Sequence, residues 1–125
     1  MGAANEESAA ILEFQLAMLS DDALTGPAYA AVAEGKADRA ILICTNGIGM
    51  AMTANRIPGV RAALIYNART ATMTRKHHDS NALCLGAGEF TADELIAWVL
   101  LWLDTEFEGG RHARRVGKFE ALDEP

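Results

Sequence analysis

The sequence predicts an α/β fold with three layers, in which a parallel sheet lies between flanking helices. Three short apolar runs, at 40–44, 60–65 and 82–85, have the length and composition of buried strands. Each run is followed by a segment with helical features, so strands and helices alternate along the chain. This alternation is typical of Rossmann-like sheets, whose parallel strands are joined by crossover helices.

Two helices are predicted before the first strand. Ser8 suits a helix N-cap, and the apolar residues after it recur at helical spacing, which predicts an amphipathic helix over 9–19. Gly26 and Pro27 precede a second helix over 28–34, because proline is favoured in the first turn of a helix. The chain is therefore expected to open with a helical segment.

The strands and helices then follow one another in order. The strand over 40–44 runs into a glycine-rich turn, and a helix over 50–55 follows that turn. The strand over 60–65 leads into a helix over 68–76. The strand over 82–85 comes last and completes a sheet of only three convincing strands.

Two helices are predicted after the last strand. Thr91 and Glu94 have the spacing of a capping box, which predicts the start of a long helix that ends near Leu103. Gly109-Gly110 precedes a final helix over 111–122. We find no internal repeat and no long linker, so a single domain is expected.

The long helix carries more apolar surface than a three-stranded sheet can cover. Residues 95–103 are apolar nearly all round, which predicts that one side of this helix packs on another subunit. A homodimer is the simplest such assembly. Trp98 and Trp102 lie four residues apart and are expected in the core or in that interface. Nine apolar residues are too few for a membrane span, which needs about 20.

Composition limits the classes of partner and compartment. The chain has 125 residues, of which 50% are hydrophobic, and a formal net charge of -6, which excludes a disordered protein. The negative charge disfavours nucleic acid and anionic membranes as partners. Cys44 and Cys84 form no disulfide framework and no zinc-ligand pattern. With no visible signal peptide, a cytoplasmic protein is expected.

The turn after the first strand is the first candidate site. Cys44 ends the strand, and ligands of open α/β sheets bind at the carboxyl ends of strands. The following helix N-terminus offers free N–H groups and favours negative charge, including a thiolate. Gly47 and Gly49 allow a ligand to approach the backbone closely. The alternative for Cys44 is a small buried residue at a strand end, followed by an ordinary turn. Cys84 lies in the middle of a strand among apolar residues and is expected in the core.

The pair His77-His78 is the second candidate. Histidine suits acid–base chemistry near neutral pH, and both residues precede the third strand. The alternative is a solvated helix end, where positive charge is favourable. A metal site is disfavoured, because adjacent side chains on a helix do not converge.

A basic cluster at the start of the last helix is the third candidate. Arg111 and Arg115 are four residues apart and share one helix face. Two guanidinium groups beside a helix N-terminus make a good clamp for a monophosphate. The alternative is a basic surface helix, or internal pairing of these arginines with carboxylates at Glu106, Glu108 or Glu120.

Three ordered blocks of the sequence resemble one family of enzymes. The blocks are ADRAILICTNGIGMAMTANRIPGVRAAL, MTRKHHDSNALCLGA and FEGGRHARRVGKFE. They resemble the sugar-phosphate isomerases that include ribose-5-phosphate isomerase B and galactose-6-phosphate isomerase. The resemblance covers residues 37–120, so residues 1–36 are expected to be a divergent helical segment and residues 37–125 the isomerase-like core.

The resemblance implies an aldose–ketose isomerase that acts on a sugar phosphate through an enediolate, without a metal or other cofactor. Cys44 matches the cysteine base, and His77 matches the histidine assigned to ring opening. Asn46 lies at the start of the family's anion hole, and its amide is expected to contribute to catalysis. The matching substrate-binding residues are Gly47, Ile48, Gly49, His78, Arg111 and Arg115. The resemblance also implies that the site lies in a cleft between two subunits, and therefore that the protein forms a homodimer or larger homo-oligomer.

The sequence also departs from the family pattern. The family begins with a strand that carries an Asp-His pair, and residues 1–36 contain no histidine. Asn46 replaces a hydroxyl residue, and an amide is a poor proton shuttle. His78 replaces a common asparagine, and Gly88 stands where some members have arginine. These departures leave a second hypothesis open: a non-catalytic module that binds sugar phosphates, or a subunit that needs a partner chain in a hetero-oligomer.

Overall fold

Helices and strands alternate as the sequence predicts. The structure is a computed structural model and describes residues 27–123. The elements of this part of the chain are α1 (Pro27–Ala33), β1 (Ala40–Cys44), α2 (Ile48–Ala54), β2 (Ala62–Leu64), α3 (Ala68–His78), β3 (Ala82–Gly86), α4 (Ala92–Asp104) and α5 (Arg111–Leu122). The helix predicted over 9–19 lies outside the described residues.

The three strands form one parallel sheet with the order β1-β3-β2. Ala40 is level with Ala82 at the start of the pair, and Cys44 is level with Gly86 at its end. Ala62 of β2 is also level with Ala82. The carboxyl ends of β1 and β3 therefore meet at one edge of the sheet, next to the turn that contains the candidate cysteine.

Both faces of the sheet are covered, which confirms the three-layer prediction. On one face, α1 and α2 pack against a core that includes Leu42, Met50 and Cys84. On the other face, α3 and α4 pack against a core that includes Leu83 and Trp102. The predicted core positions of Cys84, Trp98 and Trp102 are confirmed, since all three side chains are buried.

Several element boundaries differ from the predictions for identifiable reasons. Gly47 has a φ of 82° and acts as the N-cap of α2, which lets that helix begin two residues earlier than predicted. Strand β2 is shorter than predicted, because Val60 belongs to a turn that is closed by its hydrogen bond to the carbonyl of Ile57. Helix α3 continues to His78 and ends at Asp79, whose φ is 48°. The capping box at the start of α4 is confirmed.

Two asparagine side chains anchor the start of β2. Asn55 accepts a hydrogen bond from the N–H of Ala62 and donates one to its carbonyl, both at 2.8 Å. Asn81 accepts from the N–H of Arg61 at 2.7 Å and donates to the carbonyl of Gly59 at 2.9 Å. Each amide thus replaces two backbone partners that the short strand lacks at this end.

Replacing Asn81 with alanine is expected to lower the free energy of unfolding by about 1–3 kcal/mol, because the N–H of Arg61 loses its acceptor in a partly buried position. Asn81→Asp keeps an acceptor for that N–H and loses the donor to Gly59, so a smaller loss is expected. Urea unfolding followed by circular dichroism measures both. Equal stability of the alanine variant and the wild type would contradict the anchoring role.

Helix α4 exposes a row of large apolar side chains. Ile96 is 57% exposed, Leu100 is 61% exposed and Leu101 is 41% exposed. These residues belong to the segment that the sequence predicts to pack on another subunit. Among residues 27–123, no helix is both long enough and apolar enough to span a membrane.

Candidate active site

Cys44 lies at the carboxyl end of β1, directly before the N-terminus of α2. Its side chain is half-buried, and its Sγ accepts a hydrogen bond from the N–H of Gly47 at 3.2 Å. The Oδ1 atom of Asn46 accepts from the N–H of Ile48 at 3.0 Å. The N–H of Gly49 has no acceptor among the described residues. Of these three N–H groups, only that of Gly49 is therefore open to a ligand, since those of Gly47 and Ile48 are engaged by the side chains of Cys44 and Asn46.

The Cys44 turn is held by the loop that follows β3. The N–H of Ala87 donates to the carbonyl of Cys44 at 2.9 Å, and that of Gly88 donates to the carbonyl of Thr45 at 2.8 Å. A Cβ atom on Gly86 would lie 2.8 Å from the Cα of Asn46, so only glycine permits this approach. Sequence reasoning missed the positioning role of Gly86 and Gly88, although glycines after a strand were its signal.

His77 lies in the last turn of α3 and meets residues from elsewhere in the chain. Its ring stacks on that of His112, with centroids 4.2 Å apart and an angle of 13° between the planes. The Oε1 atom of Glu108 lies 3.8 Å from Nε2 of His77 and 3.7 Å from Nε2 of His112. His78 is exposed, and its ring meets that of His77 edge-on at 6.2 Å. Sequence reasoning missed this cluster, which depends on contacts between distant segments.

The environment of His112 favours its neutral form. Burial is the largest cause of the lowered pKa of His112, and positive charge on His77 is the second. Positive charge on Arg111 and Arg115 acts in the same direction, whereas Glu108 opposes it. The imidazole of His112 is therefore expected to be less readily protonated than a free histidine.

The same cluster contains the residue types of a metal site. The ligand-forming atoms of His77, Glu108 and His112 lie within 4.8 Å of one another. Two histidines and a carboxylate would suffice for an open zinc site. The imidazole rings are stacked, however, so the lone pairs in their planes run nearly parallel and do not converge on one point. The stacking of the two rings therefore does not suit a metal ion shared by both.

Arg111 and Arg115 lie in the first two turns of α5, and both are exposed. Within residues 27–123, neither guanidinium group has a carboxylate within 4.0 Å. Glu108 faces the two histidines, and Glu120 lies 3.7 Å from Arg61. The predicted alternative of internal pairing is therefore wrong, and both groups remain available to an anion.

The predicted site residues form two groups at opposite edges of the sheet. Cys44 is level with the last residue of β3, at the carboxyl edge. Helix α3 runs back to the start of β3, which places His77 near the amino edge, close to Ala82. Five residues of β3 span about 13 Å. One chain therefore brings Cys44 together with residues 46–49, and His77 together with the start of α5, but does not join the two groups.

Comparison with known proteins identifies the family. The model of the Ribose/Galactose Isomerase family matches residues 23–119. The chain is 42% identical over 91 residues to D-erythrulose-4-phosphate isomerase of Pectobacterium atrosepticum, covering 70% of this chain and 58% of that protein. It spans between 53% and 66% of the length of the curated relatives that it matches.

Solved structures agree with the sequence comparison. Ribose-5-phosphate isomerase B of Clostridium thermocellum superposes with a TM-score of 0.75 at 44% identity, covering 77% of this chain and 65% of that chain. The enzyme of the same name from Mycoplasma genitalium, solved with bound ribulose-5-phosphate, has a TM-score of 0.75 at 36% identity, covering 89% of this chain and 68% of that chain. The resemblance inferred from the three sequence blocks is confirmed: the chain belongs to the Ribose/Galactose Isomerase family.

Proposed function

We propose that the protein is an aldose–ketose isomerase of a sugar phosphate, and that two copies of the chain form each active site. The observation that carries the proposal is the division of the candidate residues between the two edges of the sheet. A second copy can set the carboxyl edge of one chain against the amino edge of the other, and the exposed apolar face of α4 offers surface for such a homodimer. Sugar phosphates are intracellular metabolites, so the proposal includes a cytoplasmic location.

Cys44 acts as the base in this proposal. Its thiolate removes the proton from C2 of the aldose, and the electron pair forms the enediolate. In this proposal the N–H of Gly49 and the Nδ2 amide group of Asn46 stabilise the negative oxygen. The N–H groups of Gly47 and Ile48 join them only by giving up their present acceptors, Sγ of Cys44 and Oδ1 of Asn46. The proton then returns from sulfur to C1, while a hydroxyl proton moves between the two oxygens. The product is the ketose, and no atom is gained or lost.

Arg111 and Arg115 bind the phosphate group, and His77 opens the sugar ring. The absence of a carboxylate near either arginine supports the first role, because an unpaired guanidinium favours an anion. Half-burial and the nearby carboxylate of Glu108 support the second, since histidine must both give and accept a proton there. His78 is exposed next to His77 and contacts the sugar in this proposal.

One observation favours a non-catalytic alternative. The amide of Asn46, which replaces a hydroxyl of the family pattern, already accepts a hydrogen bond from the N–H of Ile48. An amide held in this way caps the turn and shuttles no proton. A chain with this residue could bind a sugar phosphate without converting it, or could act only with a second family member.

Nuclear magnetic resonance in D2O separates these two functions. The folded protein is incubated with ribulose 5-phosphate and with erythrulose 4-phosphate. The first is the sugar bound in one related structure, and the second is the sugar after which one relative is named. Isomerisation is expected, with deuterium entering at C1 or C2 through the base. Binding without turnover or exchange would refute the isomerase and favour the binding module.

Mixing two inactive variants tests the shared site. A heterodimer pairs a Cys44→Ala chain with an Arg111→Ala/Arg115→Ala chain and contains two sites. One site combines the intact cysteine of the second chain with the intact arginines of the first, and the other site carries both defects. Random mixing should therefore restore about one quarter of the wild-type rate per chain. A site contained within a single chain would regain no activity. Refolding each variant alone is the control, and light scattering reports whether dimers form.

A further inference from the structure

We propose that His77, Glu108 and His112 form one protonation unit, in which a proton on either imidazole opposes a proton on the other. In this unit Glu108 and His112 are positioning residues for His77. The functional part of the inference rests on the proposed function, in which His77 opens the sugar ring. The existence of the unit rests on the geometry and the charges of these side chains and is tested without any turnover.

The backbone brings the three side chains together through specific contacts. The N–H of Glu108 donates to the carbonyl of Lys76 at 3.1 Å, which fixes the loop against the last turn of α3. Gly109 and Gly110 have φ values of 70° and 56°, a conformation that other residues rarely adopt. The turn they form starts α5 immediately, so that His112 comes to lie on the ring of His77.

The charges around the cluster allow one proton and oppose a second. Two positively charged rings with centroids 4.2 Å apart repel each other strongly. The carboxylate of Glu108 lies within 3.8 Å of an Nε2 atom of each ring and balances one positive charge. The other groups that face the pair are positive or can become so: His78 on α3, and Arg111 and Arg115 on α5.

The electrostatics of His112 agree with this arrangement. Its pKa is lowered first by burial and then by positive charge on His77, so a proton on His77 opposes a proton on His112. The stacked ring of His112 on one face and the carboxylate of Glu108, 3.8 Å from Nε2, restrict the orientation of the His77 ring. His77 then presents its other nitrogen, Nδ1, to a substrate.

Histidine titration by nuclear magnetic resonance tests the unit. The chain contains three histidines, so each imidazole signal can be followed separately. In the wild type, His112 is expected to titrate below the range of a free histidine. Removing the neighbouring charge with His77→Asn should raise the pKa of His112, and removing the carboxylate with Glu108→Gln should lower it further. Glu106→Gln removes the same charge two residues away and is expected to leave it unchanged.

The outcomes of this titration are decisive for the unit. If the titration of His112 is the same in His77→Asn, Glu108→Gln and wild-type protein, the unit does not exist. The two variants act independently, so the failure of one to fold leaves the other as a test. A shift in Glu106→Gln as large as that in Glu108→Gln would also overturn the proposal, because the effect would then be general surface charge.

The pH dependence of turnover tests the positioning role. One limb of the plot of kcat against pH is expected to reflect protonation of this unit. Glu108→Gln should move that limb to lower pH, and Glu108→Asp should restore its position. A merely structural loss would reduce kcat equally at every pH and would overturn the positioning role. Coupled titration without any turnover would support the unit and contradict the isomerase. Turnover with independently titrating histidines would contradict the unit alone.

Discussion

Cys44→Ser is expected to reduce proton transfer by about 10²–10⁴-fold while leaving the fold intact. The Sγ atom lies at the carboxyl end of β1, beside the N-terminus of α2, and accepts a hydrogen bond from the N–H of Gly47 at 3.2 Å. Serine keeps an atom that can accept this hydrogen bond, so the turn should persist. A hydroxyl is a far weaker base than a thiolate near pH 7, and the loss therefore falls on the chemical step.

Deuterium exchange into the sugar phosphate measures this loss directly, and Cys84→Ser provides the control. Cys84 is fully buried in the sheet, and its thiol pKa is raised to about 12, mainly by burial and further by the nearby Cys44. Serine at that position should lower stability by about 1–3 kcal/mol, because its hydroxyl is buried among apolar groups. Exchange should continue in the folded fraction. A near-wild-type rate in Cys44→Ser would remove Cys44 from the mechanism.

Local patterns were sufficient to predict most of the fold. The apolar run at 40–44 gave the bounds of β1 correctly, because a continuous aliphatic segment of that length is buried on both faces in a parallel sheet. The glycine pair before Arg111 gave the correct start of α5. Strand β2 was predicted too long. Val60 is β-branched, as strand residues often are, but its N–H donates to the carbonyl of Ile57 and holds it in a turn.

The candidate site was predictable only in part. The sequence indicated Cys44 and the glycine turn because their chemistry is local to one strand end. The contact of Glu108 and His112 with His77 depends on how two separate helices pack, and no local pattern encodes it. The separation of Cys44 from His77 could have been foreseen, because in a parallel sheet the residues before a strand lie at the opposite edge from those after one.

Gly47→Ala is expected to lower the free energy of unfolding by about 2–5 kcal/mol, the largest loss that we expect from a single methyl group. Gly47 has a φ of 82°, which an alanine adopts only with strain. The added Cβ would also lie 2.6 Å from Cδ1 of Leu64 and 3.0 Å from the backbone carbon of Leu85. The leucine side chain can move, but the β3 backbone cannot, so the whole Cys44 turn must shift.

Gly49→Ala separates this strain from a general effect of alanine in the same turn. Gly49 lies in α2, no atom lies within 4 Å of the position of an added Cβ, and its φ is not positive. Alanine there should raise the free energy of unfolding by about 0.5–1 kcal/mol, because glycine is the weaker helix former. Urea unfolding of both variants measures the difference. If Gly47→Ala were as stable as Gly49→Ala, the close contact between the Cys44 turn and β3 would be wrong, and with it the fixed position of the sulfur atom beside the N–H donors.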